Sequence, residues 1–182
     1  GNAGTARIAT NVPGSATDVP AVVRAAKEHH VDLVVVGPEA PLAAGLADAL
    51  AAEGIPVFGP TAAAARIESS KAFSKDLMHR HGIPTAHART FTDLTAAERY
   101  IDSHAEPLVV KASGLAGGKG AVVCASRQEA RVAARAMLAD GLLGAAGSEV
   151  LVEEFLDGEE LSVLAVTDGE HYAILPPAQD HK

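Results

Sequence analysis

Residues 108–125, LVVKASGLAGGKGAVVCA, place two short apolar runs on either side of a loop with four glycines. The first run is a strand that delivers Lys111 to the loop. The second, residues 121–125, is short and valine-rich, and Ser126 with Glu129 then forms a capping box that opens a helix. Glycine lets a backbone turn its N–H groups toward a bound anion with no Cβ in the way, and Lys111 and Lys119 supply positive charge. The unit of strand, glycine loop and strand therefore reads as phosphate chemistry. It is not the Walker A form, because three residues rather than four separate Gly114 from Gly118-Lys119, and Gly120 stands where a Mg²⁺-binding Ser or Thr belongs. Such a loop covers phosphates like a flap. The competing reading is a mobile glycine-rich hairpin with solvated lysines.

The charge balance narrows the partners. With 15 Lys and Arg against 23 Asp and Glu, the net charge is −8, which argues against nucleic acid or an anionic membrane as the main partner. An anion site must then be locally basic in an acidic protein. The single cysteine, Cys124, leaves no intrachain disulfide, and the expected compartment is the cytoplasm. Its place in an apolar strand marks it as packing rather than chemistry. Aromatics supply only 3% of residues, so the core must be aliphatic, which suits α/β layers.

Along the chain, Thr17 or Asp18 caps a helix with Pro20 in its first turn, ending near His30. DLVVV at residues 32–36 is a buried-strand run, followed by the loop GPEAP, a helix over residues 42–53 that Gly54 stops, and a strand over residues 55–58. Helix and strand in alternation predict a parallel, doubly wound sheet, whose ligands sit beyond the carboxyl ends of the strands, where GPEAP and Gly59-Pro60-Thr61 fall. These loops are equally explained as turn punctuation. Two helical pieces span residues 61–82, with Ser69 or Ser70 capping the second. There Lys71 and Lys75 share one face, which on a lone helix is a solvated stripe. A domain boundary falls between residues 60 and 88. Thr95 and Glu98 make a capping box for a helix to about His104, and residues 141–147, GLLGAAG, form a flexible link. Residues 149–155, 159–167 and 171–175, joined by Asp157-Gly158 and Asp168-Gly169, predict an antiparallel meander. Histidines 29, 30, 79 and 81 lie at helix ends, where they suit the dipole, so a phosphohistidine role has little support.

In this order the pieces GNAGTA, VVGPEAPL, FGPT, ESSKAFSKDLMHRHGIPTA, VVKASGLAGGKG, VEEFLDGEELSVLAV and PPAQDHK resemble the ATP-grasp ligases, and within them the phosphoribosylamine-glycine ligase family. Gly117 departs from that pattern, which usually has alanine. The resemblance implies an α/β fold: a partial doubly wound N-terminal domain, residues 1–62, followed by a partial ATP-grasp α+β domain, residues 63–182, with a lid at about residues 88–155. It implies a fragment truncated at both ends. It also implies that ATP phosphorylates a glycine carboxylate and that the amine of 5-phosphoribosylamine displaces the phosphate.

By the same resemblance Lys71 and Lys111 contact ATP phosphates, Lys111 being the catalytic candidate, and Gly114, Gly117, Gly118, Lys119 and Gly120 close over them. Glu153, Glu154, Phe155 and Leu156 form the adenine edge, and Glu160 holds the ribose. Asn2, Gly4, Thr5, Pro38 and Glu39 line the pocket for the sugar phosphate or amine, with Asp180 and Lys182 near the substrate. No metal ligand is expected within this chain, the Mg²⁺ ligands lying downstream, so the chain is expected to hold much of the nucleotide cleft and little of the catalytic machinery. Two other functions compete: another ATP-grasp carboxylate-amine ligase or carboxylase, and a nucleotide-binding module without catalysis.

Overall fold

A computed structural model of the chain describes residues 1–179. After a 3-10 turn, Thr5–Arg7, Asp18 caps α1 (Val19–Glu28) by accepting the Ala21 N–H, and Pro20 occupies the first turn. The next elements are β1 (Val34–Val35), α2 (Glu39–Ala43), α3 (Leu46–Ala52) and β2 (Val57–Phe58). β1 and β2 pair in parallel, with Val34 opposite Val57, as the alternation of helix and strand predicts. The single helix expected over residues 42–53 is instead two, because Gly45 adopts φ 85° and breaks the helical path. The run at 32–36 is also not buried on both faces. Val34, Val36, Ile55 and Val57 pack against Ala26, Leu46 and Leu50, whereas Leu33, Val35 and Phe58 are half exposed or more. Successive side chains of a strand point to opposite faces, and among the described residues helices cover only one of them.

Thr61 caps α4 (Ala62–Ser69), and Ser70 caps α5 (Lys71–Arg80). A second layered unit follows: β3 (Ala88–Phe91), α6 (Leu94–Ser103), β4 (Leu108–Ala112), β5 (Ala121–Cys124), α7 (Arg127–Leu138) and β6 (Val150–Glu154). The sheet order is β3-β6-β4-β5, antiparallel throughout. α6 and α7 cover one face, where Ile101, Val110, Cys124, Ala134, Val150 and Val152 are fully buried. Cys124 is packing, as expected, and burial pushes its thiol pKa up. Ser126 caps α7 as expected by accepting the Glu129 N–H, but the glutamate reaches back one residue further than a capping box requires and accepts the Ala125 N–H at 3.0 Å. At α6 the cap is Asp93 instead of Thr95, and Glu98 pairs with Arg135 of α7, so the helix begins earlier than the predicted box allows.

The last strands are β7 (Leu161–Ser162), β8 (Ala165–Thr167), β9 (Tyr172–Ile174) and β10 (Ala178–Gln179). β8 and β9 form the hairpin that Asp168-Gly169 predicts. The other half of the meander fails: β6 lies between β3 and β4, and β7 pairs with β10. The alternation of β6 is real, but it reflects a central strand with two partners already engaged, which leaves no free edge for a hairpin across Asp157-Gly158.

Candidate functional site

Strand alternation sets the site. Along β4, Leu108, Val110 and Ala112 turn into the α6/α7 core, so Lys111 points to the opposite face. Along β6, Val150 and Val152 turn the same way as Val110, leaving Leu151 and Glu153 on the face of Lys111. Lys111 sits opposite Leu151, and Glu153 is its diagonal neighbour on that face. The Lys111 ammonium donates to Glu153 Oε2 at 2.7 Å, and only 3% of the Glu153 side chain is exposed.

α5 approaches the same face. Its first turn is fixed by the end of β4: Lys71 N–H donates to Ser113 O at 2.8 Å, Ala72 N–H to Ser113 Oγ at 3.2 Å, and Phe73 N–H to the capping Ser70 Oγ. The Lys71 ammonium then reaches Gly114 O at 3.2 Å. One turn on, Lys75 donates to Thr85 Oγ1 at 2.7 Å and to Ala86 O at 2.9 Å, and lies 3.5 Å from Glu153 Oε1. The solvated stripe expected of Lys71 and Lys75 is therefore overturned for Lys75, whose side chain is 16% exposed, because α5 packs this face against the sheet.

The side chains enclose a cleft of about 290 Å³ lined by Lys71, Lys75, Lys111, Glu68 and Glu153, with Ile67, Ser74, Met78 and Thr85. Three ammonium groups against two carboxylates make it locally basic in a chain of net charge −8. A larger hollow of about 610 Å³ lies between the N-terminal segment and α1, but its walls are mainly Val, Ala, Pro and Gly and include none of the expected site residues.

At the root of the glycine loop, Gly114 N–H donates to Ala146 O at 3.1 Å, and a Cβ on Gly114 would stand 2.7 Å from Ala146 Cα. The expected flexible link at 141–147 is thus corrected: Gly144–Gly147 forms a 3-10 helix that anchors the loop. At the tip Gly117 and Gly118 take φ 56° and 79°, and their N–H groups meet no acceptor among the described residues. Lys119 N–H closes a turn onto Ala116 O, Ala112 N–H bonds to Gly120 O, and the Lys119 ammonium has no ion pair among the described residues.

The remaining expected residues are dispersed. Glu154 accepts the His87 N–H at 2.8 Å, while Phe155 and Leu156 are exposed beyond β6. Glu160 is exposed just before β7. Pro38 and Glu39 start α2 at the carboxyl end of β1, the same end as Gly59-Pro60-Thr61 beyond β2. Asn2 Oδ1 accepts the N–H groups of Gly4 and Thr5, and Thr5 donates to Asn11. None of Asn2, Gly4, Thr5, Pro38 and Glu39 lines the lysine cleft. Asp180 and Lys182 lie outside the described residues. Among the described residues no three His, Cys, Asp or Glu side chains gather as a metal ion requires, and no helix is long and apolar enough to cross a membrane.

Sequence reasoning missed the side-chain role of Glu153, the burial of Lys75 and the bridging Ser113. For Glu153 a signal existed: alternation along 150–154 puts it on the face opposite Val150 and Val152. Nothing local marks Lys75 or Ser113, whose roles come from α5 docking on the sheet.

Two family models match the chain: "Phosphoribosylglycinamide synthetase, N domain" over residues 1–68 and "Phosphoribosylglycinamide synthetase, ATP-grasp (A) domain" over residues 69–182. A phosphoribosylamine-glycine ligase of Vibrio cholerae is 50% identical over 184 residues, and one of Rhodopirellula baltica 54% identical over 188. Each match covers 100% of this chain and 43% of the relative, so the chain spans less than half their length. The crystal structure of the Thermotoga maritima phosphoribosylamine-glycine ligase superposes with a TM-score of 0.78 at 30% identity, over 97% of this chain and 41% of that one. The biotin carboxylase domain of a Hydrogenobacter thermophilus 2-oxoglutarate carboxylase, solved with MgADP, shares the fold at a TM-score of 0.74 and 22% identity, over 88% of this chain and 37% of that one. With a glycine loop between two strands beside a lysine-lined cleft and both models matching end to end, the chain belongs to the phosphoribosylglycinamide synthetase family, residues 69–182 falling in its ATP-grasp domain.

Proposed function

We propose that the cleft between α5 and the four-stranded sheet receives the phosphates of ATP, and that the protein is an ATP-dependent carboxylate-amine ligase of purine biosynthesis. In that reaction the glycine carboxylate attacks the γ-phosphorus of ATP, releasing ADP and forming glycyl phosphate. The amine of 5-phosphoribosylamine then attacks the acyl carbon, phosphate leaves, the amine loses a proton, and glycinamide ribonucleotide results. Such chemistry asks the protein for positioning and charge neutralisation above all.

The observation that carries the reading is the convergence of Lys71, Lys75 and Lys111 on one cleft beside a loop whose tip N–H groups at Gly117 and Gly118 are unengaged among the described residues. Lys71 and Lys111 are assigned to the phosphates, and Gly114, Gly117, Gly118, Lys119 and Gly120 to the cover over them. The backbone of Glu153, Glu154, Phe155 and Leu156 is assigned to adenine and Glu160 to the ribose. Asn2, Gly4, Thr5, Pro38 and Glu39 are assigned to the amine substrate, together with Asp180 and Lys182. Mg²⁺ accompanies ATP in this reading, but the described residues gather no ligand set that fits an ion, and Glu153 is already shared by two ammonium groups.

We propose two domains for the chain. An N-terminal substrate domain occupies residues 1–62 and an ATP-grasp domain residues 63–182, with a moving lid over residues 88–155, from the start of β3 to just past β6. Small molecules are the partners, without nucleic acid or membrane, and the compartment is the cytoplasm.

Titration calorimetry with ATP tests the cleft. The chain binds ATP, and Lys111→Met weakens binding by about 2–3 kcal/mol, the worth of a charge-assisted hydrogen bond. Unchanged affinity in the variant removes the cleft assignment. In the full-length protein, ADP release requires both glycine and 5-phosphoribosylamine. Dependence on another acid selects a different ATP-grasp ligase, and binding without turnover selects a nucleotide-binding module.

A further inference from the structure

Lys75 has more partners than a surface lysine needs. Its ammonium is fixed by Thr85 Oγ1 and Ala86 O, in the segment leading to β3, and from that mount it faces Glu153 Oε1. The other oxygen of Glu153 accepts from Lys111. One carboxylate, 3% exposed, is thus divided between an ammonium that is 16% exposed and one that is 31% exposed. The arithmetic of charge gives this division a function. Lys111 and Glu153 alone neutralise each other, and a phosphate entering the cleft would compete with a carboxylate for the only cation of the pair. With Lys75 the three groups carry one net positive charge, and Glu153 keeps a counter-ion when Lys111 turns to the phosphate.

We propose that Lys75 is a positioning residue that holds and offsets Glu153, leaving Lys111 able to donate to a nucleotide phosphate. The proposal rests on the reading of the cleft as the ATP phosphate site. Lys75 itself touches no phosphate. It acts through Glu153, and its effect therefore scales with the charge that Lys111 meets.

The test compares ATP, ADP, AMP and adenosine by titration calorimetry on the whole chain. Lys75→Met weakens ATP binding roughly tenfold, ADP less, and leaves adenosine within about twofold. Lys75→Arg restores most of the loss. When Glu153→Gln has removed the carboxylate charge, adding Lys75→Met costs less than about twofold for ATP, since no charge remains to offset. An equal loss for all four ligands, adenosine included, makes Lys75 a structural residue only and overturns the proposal, as does unchanged ATP affinity. If the single Met variant does not fold, the double variant decides: ATP affinity within about twofold of Glu153→Gln alone supports the proposal, and a roughly tenfold further loss overturns it. Affinity that rises with phosphate number yet ignores Lys75 refutes this inference alone. A wild-type chain that binds none of the four refutes the nucleotide reading and this inference with it.

Discussion

β1 and β4 come from nearly the same letters. DLVVV and LVVKA are both short, valine-rich and flanked by turn residues, yet Val110 is fully buried while Val35 is 64% exposed. β4 has β5 on one side and β6 on the other, with helices over one face and α5 approaching the other. β1 has β2 alone, and helices pack on one of its faces. An apolar run specifies a strand. How many of its faces lose water depends on neighbours elsewhere in the chain, and that is where the two regions part in stability and in function.

The widest gap lies in the core. Leu151→Ala, in the middle of β6 with no exposure, costs about 3 kcal/mol in urea unfolding, and a loss below about 1 kcal/mol contradicts the picture of a central strand buried on both faces. Next is Gly114→Ala at the end of β4. Its new methyl meets the Ala146 backbone at 2.7 Å, which places the loop root inside the packed region and costs about 2 kcal/mol. Free tolerance of alanine there returns Gly114 to the mobile part of the loop. Helix caps offer a control, since Asp93→Ala at α6 and Asp18→Ala at α1 remove the same local bond in the two regions. Each costs about 1 kcal/mol, and a large inequality shows that the regions differ in local chemistry as well as in cover. Val35→Ala completes the contrast with a change within about 0.5 kcal/mol.

The smallest effect is a titration outside both regions. Main-chain N–H groups of His171 and Glu170, and then the His171 ring, hold the Asp168 carboxyl below its usual range. A depressed folded value means that the contribution to the β8–β9 turn is complete above the unfolded pKa and lost as pH falls through the folded one. Amide shifts of Gly169 and Glu170 therefore stay constant from neutral pH to about pH 5 and move below about pH 4. Amide shifts that stay constant through about pH 3 overturn the assignment to Asp168.

What the sequence discloses follows from range. Ser126, Asp18 and Ser70 cap the helices that follow them, because a cap and its N–H partner lie three residues apart. The glycine loop and Lys111 are legible for the same reason. Two failures are local, the helix break at Gly45 and the α6 cap at Asp93, and the rest are long-range. Lys75 is a plain helix lysine until α5 meets β6, and Glu153 a polar residue on an edge until β6 inserts between β3 and β4. The run at Asp157-Gly158 has the letters of a hairpin turn, but the edges of β6 are taken by β4 and β3, strands far back in the sequence, with Ala112 opposite Val150 and Ala88 opposite Glu153. The GLLGAAG segment has the composition of a linker, and only its encounter with Gly114 makes it an anchor.

Ser113 gives the cleft two clocks. Its carbonyl and hydroxyl hold the first turn of α5 against the end of β4, so Lys71 and Lys111 stand on one frame, whereas Gly117 and Gly118 have open space around them. Under the proposed phosphate role, an incoming anion meets a charge pattern already assembled, so its rate of capture is set by diffusion and by salt. With the loop as the cover assigned to it under the proposed function, the residence time belongs to the tip, which must be displaced before the anion departs. Substitutions around Ser113 consequently alter how fast the site fills, and substitutions at Gly117 and Gly118 how long it stays filled.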